Sequence, residues 1–107
     1  MSGWAPTVSA LADLQDIQTY GEERWGERQS RRYLEQLYEL FDQLARNPGI
    51  GLRRPELGVS LRSFPHTSHM VFFTLRNDRV IIARVLHGAM DHAKVLDAYD
   101  PTADLPA

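Results

Sequence analysis

The chain has 107 residues, which is enough for one domain with one hydrophobic core and too few for two. Hydrophobic residues make up 43% and charged residues 24%, an ordinary globular mixture that argues against disorder and fibrous repeats. The sequence has no cysteine, which excludes disulfides, thiolate metal sites and a cysteine nucleophile, and its net charge of -2 is far from that of a committed nucleic-acid binder.

The N-terminus does not look like an export signal. The opening MSGWAPTVSALADL lacks a basic start and a continuous apolar stretch, and no segment approaches about 18 apolar residues. We therefore expect a soluble cytoplasmic protein without a membrane-spanning segment. Residues 1–8 offer at most a short fourth strand around Trp4 to Val8, because Pro6 confines such a strand to an edge or an end of a sheet.

The first helix is predicted from Ala10 to Trp25. Apolar side chains recur there mostly every three residues, at Leu11, Leu14, Ile17, Tyr20 and Trp25. Ser9 is the expected N-cap. Asp13 and Asp16 favour the positive end of the helix dipole, and Gly26 supplies a left-handed residue that can end the helix.

The second helix is predicted from about Glu27 to Arg46. Its apolar side chains repeat at spacings of three and four, at Tyr33, Leu37, Leu40, Phe41 and Leu44. Asn47, Pro48 and Gly49 end it, because proline cannot continue a helix. The connection to the first helix is very short, so the two helices should pack as an antiparallel hairpin.

The second half of the chain is predicted to form strands. Ile50 to Gly58 is expected to be a loop, since it contains proline and glycine without apolar periodicity. Three strands follow, at Val59 to Phe64, Met70 to Arg76 and Val80 to Leu86. Asn77 and Asp78 tolerate positive φ and predict a two-residue hairpin turn. The last strand is apolar except for Arg84, which indicates a central or doubly covered strand.

The predicted fold class is α+β in a single domain over residues 1–107. An N-terminal antiparallel helical hairpin packs on a C-terminal antiparallel sheet of three strands. The segment from residue 97 to residue 107 carries three aspartates and two prolines, and we expect it to be a frayed acidic tail. Charge is uneven, because residues 46–96 carry eight basic and three acidic side chains, a net charge of +5.

Four segments in this order resemble ParE toxins of the RelE/ParE superfamily over roughly residues 8–96. They are ADLQDIQTYGEERWG in the first helix, RNPGIG at the end of the second, LRSFP in the first predicted strand, and RVLHGAMD in the last strand and its exit. Family members usually open with a clear strand before the first helix, and here only the short stretch from Trp4 to Val8 is available.

The resemblance implies the toxin of a type II toxin–antitoxin pair, and a hetero-oligomer with its antitoxin. A ParD-like antitoxin would neutralise it by folding a disordered segment onto the toxin. The implied target is DNA gyrase, inhibited by binding, without a cofactor and without sequence-specific contact to nucleic acid. The partner-binding residues expected on this basis are Trp25, Tyr33, Leu37, Leu61, Arg62, Phe64, Arg84 and His87.

An alternative is a ribosome-dependent mRNA interferase similar to RelE. Arg62, Arg84 and His87 would then be catalytic, because guanidinium groups suit phosphate. The lysine cluster and terminal tyrosine of such nucleases have no convincing counterpart here. Arg84 has a structural alternative, in which it pairs with a carboxylate such as Asp91.

A non-toxic binding module remains an open alternative, and a metal site is set aside. A protein of this fold that has lost toxicity would act as a binding module. The histidines His66, His69, His87 and His92 fix no tetrahedral set and have no thiolate beside them, so no metal site is predicted.

Overall fold

The computed structural model of the chain describes residues 3–57 and 60–106. Its helices are α1 (Val8–Trp25), α2 (Glu27–Arg46) and the short α3 (His92–Val95). Its strands are β1 (Trp4–Pro6), β2 (Leu52–Arg53), β3 (Arg62–His66), β4 (His69–Arg76) and β5 (Arg79–His87). Short 3-10 turns occupy Pro48–Ile50, Pro55–Leu57 and Pro101–Asp104. None of the helices in these ranges has the length and apolar character needed to cross a bilayer.

The sheet has five strands in the order β1-β5-β4-β3-β2, so the prediction of three strands was wrong in number. The predicted antiparallel meander is confirmed as β3, β4 and β5, with Asn77 and Asp78 both at positive φ in the second turn. Val59, the predicted start of the first of these strands, lies outside the described residues, and β3 begins at Arg62. β2 lies within the segment from Ile50 to Gly58 that was predicted to be a loop.

The first strand is present, short, and at the sheet edge, as Pro6 requires. It runs parallel to β5, with Trp4 opposite Val80 and Pro6 opposite Ile82. A parallel pair needs a long crossover between its strands, which here is the rest of the chain up to β5.

The helical hairpin is confirmed, with α2 bounded as predicted and Gly26 at φ 87° between the helices. α1 begins two residues earlier than expected, because Thr7 and not Ser9 is its N-cap. The Thr7 hydroxyl accepts a hydrogen bond from the Ala10 amide at 3.0 Å and donates one to the Ala83 carbonyl at 2.7 Å. One side chain therefore starts the helix and ties it to β5.

Two apolar cores cover the two faces of the sheet. The first lies under the helices and contains Leu37, Phe41 and Phe73, each fully buried. The second lies on the other face around Leu61 and Phe72, and Leu57, Ala83, Leu86 and Leu96 complete it.

The C-terminal segment covers this second core, so the prediction of a frayed tail was wrong. Leu96 is 1% exposed, and the Tyr99 hydroxyl donates to Asp104 at 2.7 Å and lies 3.2 Å from the Ala83 carbonyl. Burial raises the pKa of Tyr99 to about 12, so this hydroxyl keeps its proton. Asp104 in turn accepts from the Ser9 amide at 3.2 Å, which joins the tail to the start of α1.

Gly51→Ala is expected to destabilise the fold by about 2 kcal/mol, because overpacking of a filled core costs roughly 1–3 kcal/mol. A Cβ at this position would lie 2.3 Å from Cζ of Phe73, a fully buried ring. Urea denaturation measures the change. The matched control is Gly49→Ala, whose Cβ would make only an ordinary 3.4 Å contact to Asn47. Equal effects of the two substitutions would contradict the packing seen around Phe73.

Candidate functional site

A groove of about 740 Å³ lies between the helical hairpin and the end of the sheet where β4 begins and β5 ends. Its surface is mainly apolar and includes Ile17 and Tyr20 on α1, Trp25 at the end of that helix, and Val85 and Met90 on and after β5. Gly21 and Ser30 lie at its base, where the two helices approach closely, and the Ser30 hydroxyl donates to the Gln18 carbonyl at 3.0 Å.

Exposed aromatic side chains form one wall of the groove. Trp25 is 55% exposed and Tyr20 is 52% exposed, and their rings pack edge to face with centroids 5.7 Å apart. The Arg24 guanidinium lies 5.4 Å above the centre of the Tyr20 ring. Large, rigid aromatic side chains beside a groove are the usual anchors of a protein interface.

The groove is also lined by Tyr33 and by the histidines His69 and His87. The Tyr33 hydroxyl lies 2.6 Å from Nδ1 of His69 and 3.3 Å from the His66 carbonyl, and burial raises the pKa of Tyr33, so the hydroxyl keeps its proton. Burial lowers the pKa of His69, and the neighbouring His87 and His66 lower it further. Burial also lowers the pKa of His66. His69 in the groove and the neighbouring His66 are therefore neutral near pH 7.

We expect the protein to lose stability as the pH falls from about 7.5 to about 5.5. An unfolded histidine takes up a proton near its ordinary pKa of about 6.5, whereas folded His66 and His69 do so only at lower pH. Below that value the unfolded state holds more protons, so the free energy of unfolding decreases. Urea denaturation at several pH values measures the slope. A double variant with glutamine at both positions should show a flatter slope, and an unchanged slope would contradict the assignment.

Arg84 forms a two-point ion pair with Asp13 of α1. Its Nε and Nη2 lie 2.7 and 2.9 Å from the two carboxylate oxygens, and the Val85 amide donates to the same carboxylate at 2.9 Å. The hydrogen bonds that Arg84 donates to Asp13 raise the pKa of Arg84 above its ordinary value. A carboxylate partner for Arg84 is thus confirmed, but the suggested partner was wrong, because Asp91 caps α3 through the Lys94 amide.

The Asp13 contact also closes an exposed sheet edge. β1 pairs with β5 only as far as Ile82, and beyond it no strand among residues 3–57 and 60–106 lies along this edge of β5. A β-bulge falls at this point, since Phe72 pairs with Arg84 and Phe73 pairs with Ile82. Asp13 lies beyond the first turn of α1, so its main contribution is here and not at the helix dipole. Arg84 is thereby held at the base of the groove.

Four of the eight residues predicted to bind a partner line the groove, namely Trp25, Tyr33, Arg84 and His87. Leu37 and Leu61 were wrongly assigned to a surface, because their exposed fractions are 0% and 2% in the two cores. Phe64 packs partly buried against the helix-side core. Arg62 lies outside the groove, and its Nη1 donates to the Pro48 carbonyl at 3.1 Å.

The three candidate nuclease residues do not converge. The Arg62 guanidinium is directed to the turn after α2, and that of Arg84 to α1. His87 is exposed, and its Nδ1 accepts from the Ala89 amide at 3.1 Å. Two groups of this set are therefore engaged in structural contacts, and no common position for a phosphate is formed by all three. Over residues 3–57 and 60–106, no cluster of three potential metal ligands is found either.

Sequence reasoning missed several groove residues. Ile17 and Tyr20 were read as part of the apolar stripe of the first helix, yet Tyr20 is half exposed. Met90, which is 44% exposed, lies in the loop after β5 and belongs to no periodic pattern. α1 is less amphipathic than α2. This difference is the sequence signal that some apolar residues of α1 face a groove and not the core.

Comparison with known proteins agrees with this arrangement. Residues 5–92 match the family model described as the ParE toxin of the type II toxin–antitoxin system parDE. The chain is 40% identical over 82 residues to Toxin ParE1 of Caulobacter vibrioides, covering 77% of this chain and 84% of that one. It is 34% identical over 84 residues to Toxin ParE1 of Mycobacterium tuberculosis, covering 78% and 86%.

A solved structure shares the fold. It is described as the chromosomal ParDE TA system from P. aeruginosa, and it superposes with a TM-score of 0.71 at 19% identity, covering 81% of this chain and 96% of that chain. The family match spans most of the chain, from β1 to the start of α3. The chain therefore belongs to the ParE toxin family of type II toxin–antitoxin systems.

Proposed function

We propose that this protein is a toxin neutralised by a ParD-like antitoxin that docks in the groove between the helical hairpin and β5. The observation that carries the proposal is the groove itself, which combines a mainly apolar surface with half-exposed Trp25 and Tyr20. Apolar grooves bordered by polar residues are common sites of protein interaction. The described ParDE neighbour is a toxin–antitoxin system, which supports a partner of the ParD type.

The groove suits an amphipathic segment that orders on binding. The Tyr20–Trp25 pair offers anchoring positions, and Tyr33 and His69 offer a neutral polar pair. Asp13 already occupies the Val85 amide at the uncovered edge of β5. Strand addition at that position is therefore less favourable than a helix lying in the groove, for which apolar anchors recur at three- and four-residue spacing.

We further propose that the target is DNA gyrase and that inhibition occurs by binding and not by catalysis. The absence of convergence among Arg62, Arg84 and His87 supports a docking protein, because phosphodiester cleavage needs several groups acting at one point. The ion pair between Asp13 and Arg84 in the groove is a structural contact, which fixes the position of β5 against the first helix.

The proposal is tested by adding the purified protein to gyrase supercoiling and cleavage assays. We expect supercoiling to stop and cleaved DNA to accumulate, and we expect prior incubation with the antitoxin to prevent both. Unchanged supercoiling without trapped cleavage would contradict gyrase as the target.

Two other outcomes identify the alternatives. Codon-positioned mRNA cuts, mapped by primer extension after expression and absent in Arg62→Ala, would show an mRNA interferase of the RelE type. Normal colony growth on induction without antitoxin would instead show a binding module that has lost toxicity.

A further inference from the structure

A second, polar cavity lies at the end of the sheet away from the groove. It has a volume of about 830 Å³ and lies between the end of α2 and the turn that joins β4 to β5. Residues at the C-terminal end of β5 line the groove. Arg79, at the N-terminal end of the same strand, lines this cavity. Arg84, the groove residue of β5 that is nearest in sequence to Arg79, lies five residues along the extended strand, a distance of about 16 Å. A partner in the groove therefore leaves this end accessible.

Two arginines are paired directly across this hairpin. Arg76 and Arg79 are opposite each other in the register of β4 and β5, and both are exposed. Like charges directly opposite on neighbouring strands destabilise the pair. Within the parts of the chain that the structure describes, the ion pairs are Arg54 with Glu56 and Arg84 with Asp13, and neither involves this hairpin. The repulsion is thus not relieved by an ion pair within those parts.

A third arginine completes the patch. Arg46, in the last turn of α2, lines the same cavity as Arg79 and is exposed. Pro48 forms part of the wall, and Arg62 reaches its carbonyl at 3.1 Å. Asp78 is the one carboxylate among the residues that line the cavity. We name Arg46, Arg76 and Arg79 the basic end.

We propose that the basic end binds the phosphate backbone of duplex DNA without reading its sequence. Planar guanidinium groups donate two parallel hydrogen bonds and match phosphate oxygens better than ammonium groups do. Duplex DNA carries one negative charge per about 1.7 Å of helix axis, so it offers several phosphates to a patch of this kind. The choice of DNA as the polyanion rests on the proposed function, since the proposed target is an enzyme that holds DNA.

The overall charge means that any DNA binding depends on a local patch. The chain carries a formal net charge of -2, so its average surface does not attract DNA. Binding that persists in spite of this must come from a local patch, and it must weaken as salt rises. Contact at the basic end would hold the toxin against DNA while the rest of the molecule contacts the gyrase protein.

The test uses fluorescence anisotropy of a labelled duplex titrated with the full-length protein, without gyrase, at several salt concentrations. We expect Arg76→Gln combined with Arg79→Gln to weaken binding at least tenfold. The slope of log affinity against log salt should fall in magnitude by about 2, one for each lost phosphate contact. The matched control is Arg28→Gln combined with Arg31→Gln, which removes two exposed arginines from α2 and should change affinity less than twofold.

Equal loss in the two double variants, or no binding by the parent protein at low salt, would overturn the proposal. Loss of affinity for isolated gyrase protein in the Arg76→Gln/Arg79→Gln variant, without any DNA binding, would also overturn it, in favour of an acidic protein surface. DNA binding without any gyrase inhibition would leave the basic end as proposed and would refute the proposed target.

Discussion

Asp13→Ala is expected to lower the free energy of unfolding by about 3 kcal/mol, because removing one partner of a largely buried ion pair leaves the other uncompensated. The side chains of Asp13 and Arg84 are 12% and 21% exposed, so water cannot fully replace the lost carboxylate. The Val85 amide loses its acceptor at the same time. Urea denaturation monitored by circular dichroism measures the change.

The control for this substitution is Asp16→Ala on the same helix. Asp16 is exposed and should tolerate the change within about 0.5 kcal/mol. Asp91→Ala removes only the cap of α3 and should cost about 1 kcal/mol. If Asp13→Ala cost no more than Asp16→Ala, the ion pair would not hold β5 to the first helix.

Trp25→Ala is expected to weaken binding of the antitoxin about 30-fold or more, since truncating an aromatic anchor at the centre of an interface costs about 2 kcal/mol or more. Trp25 is 55% exposed in the free protein, so its removal should leave the free energy of unfolding nearly unchanged. Isothermal titration calorimetry with the purified antitoxin measures the affinity, and urea denaturation of the free toxin measures the stability.

Tyr38→Ala provides the matched control for this binding experiment. Tyr38 is an exposed aromatic residue of α2, 41% exposed, but it stacks with Trp4 outside the groove. Its removal should not change affinity for the antitoxin by more than about twofold. Equal losses for Trp25→Ala and Tyr38→Ala would show that the antitoxin does not depend on the groove.

Local signals in the sequence predicted the elements that depend on local interactions. The second helix ends where expected because Asn47, Pro48 and Gly49 cannot continue it. The β4–β5 turn was predictable because Asn77 and Asp78 tolerate the positive φ that a two-residue hairpin demands. In these places the backbone conformation follows from the residues themselves.

Long-range contacts explain the predictions that failed. β1, which the sequence allowed only as a possible short strand, is three residues long and pairs with a strand more than seventy residues away, so local patterns could not establish it. The partner of Arg84 was sought nearby at Asp91, whereas Asp13 lies 71 residues away in sequence. A tail rich in aspartate and proline reads as disordered unless one knows that Tyr99 and Leu96 meet an uncovered apolar sheet face.

Half of the predicted partner-binding residues line the groove, and the limit is again that sequence periodicity does not show long-range contacts. Trp25 and Tyr33 were chosen as aromatic residues on helices, and the structure places both at the groove. Leu37, also on a predicted helix, was chosen too, and it is fully buried. Periodicity identifies the apolar face of a helix, but the extent of the covering sheet decides which members of that face remain open.

Hydrogen exchange of the toxin, free and bound to its antitoxin, tests most directly whether the groove is the docking surface. We predict added protection at the C-terminal half of α1, the start of α2 and residues 84–91, which border the groove. If protection were confined to β2, β3 and the C-terminal segment, with the groove segments unchanged, the groove would not be the docking surface.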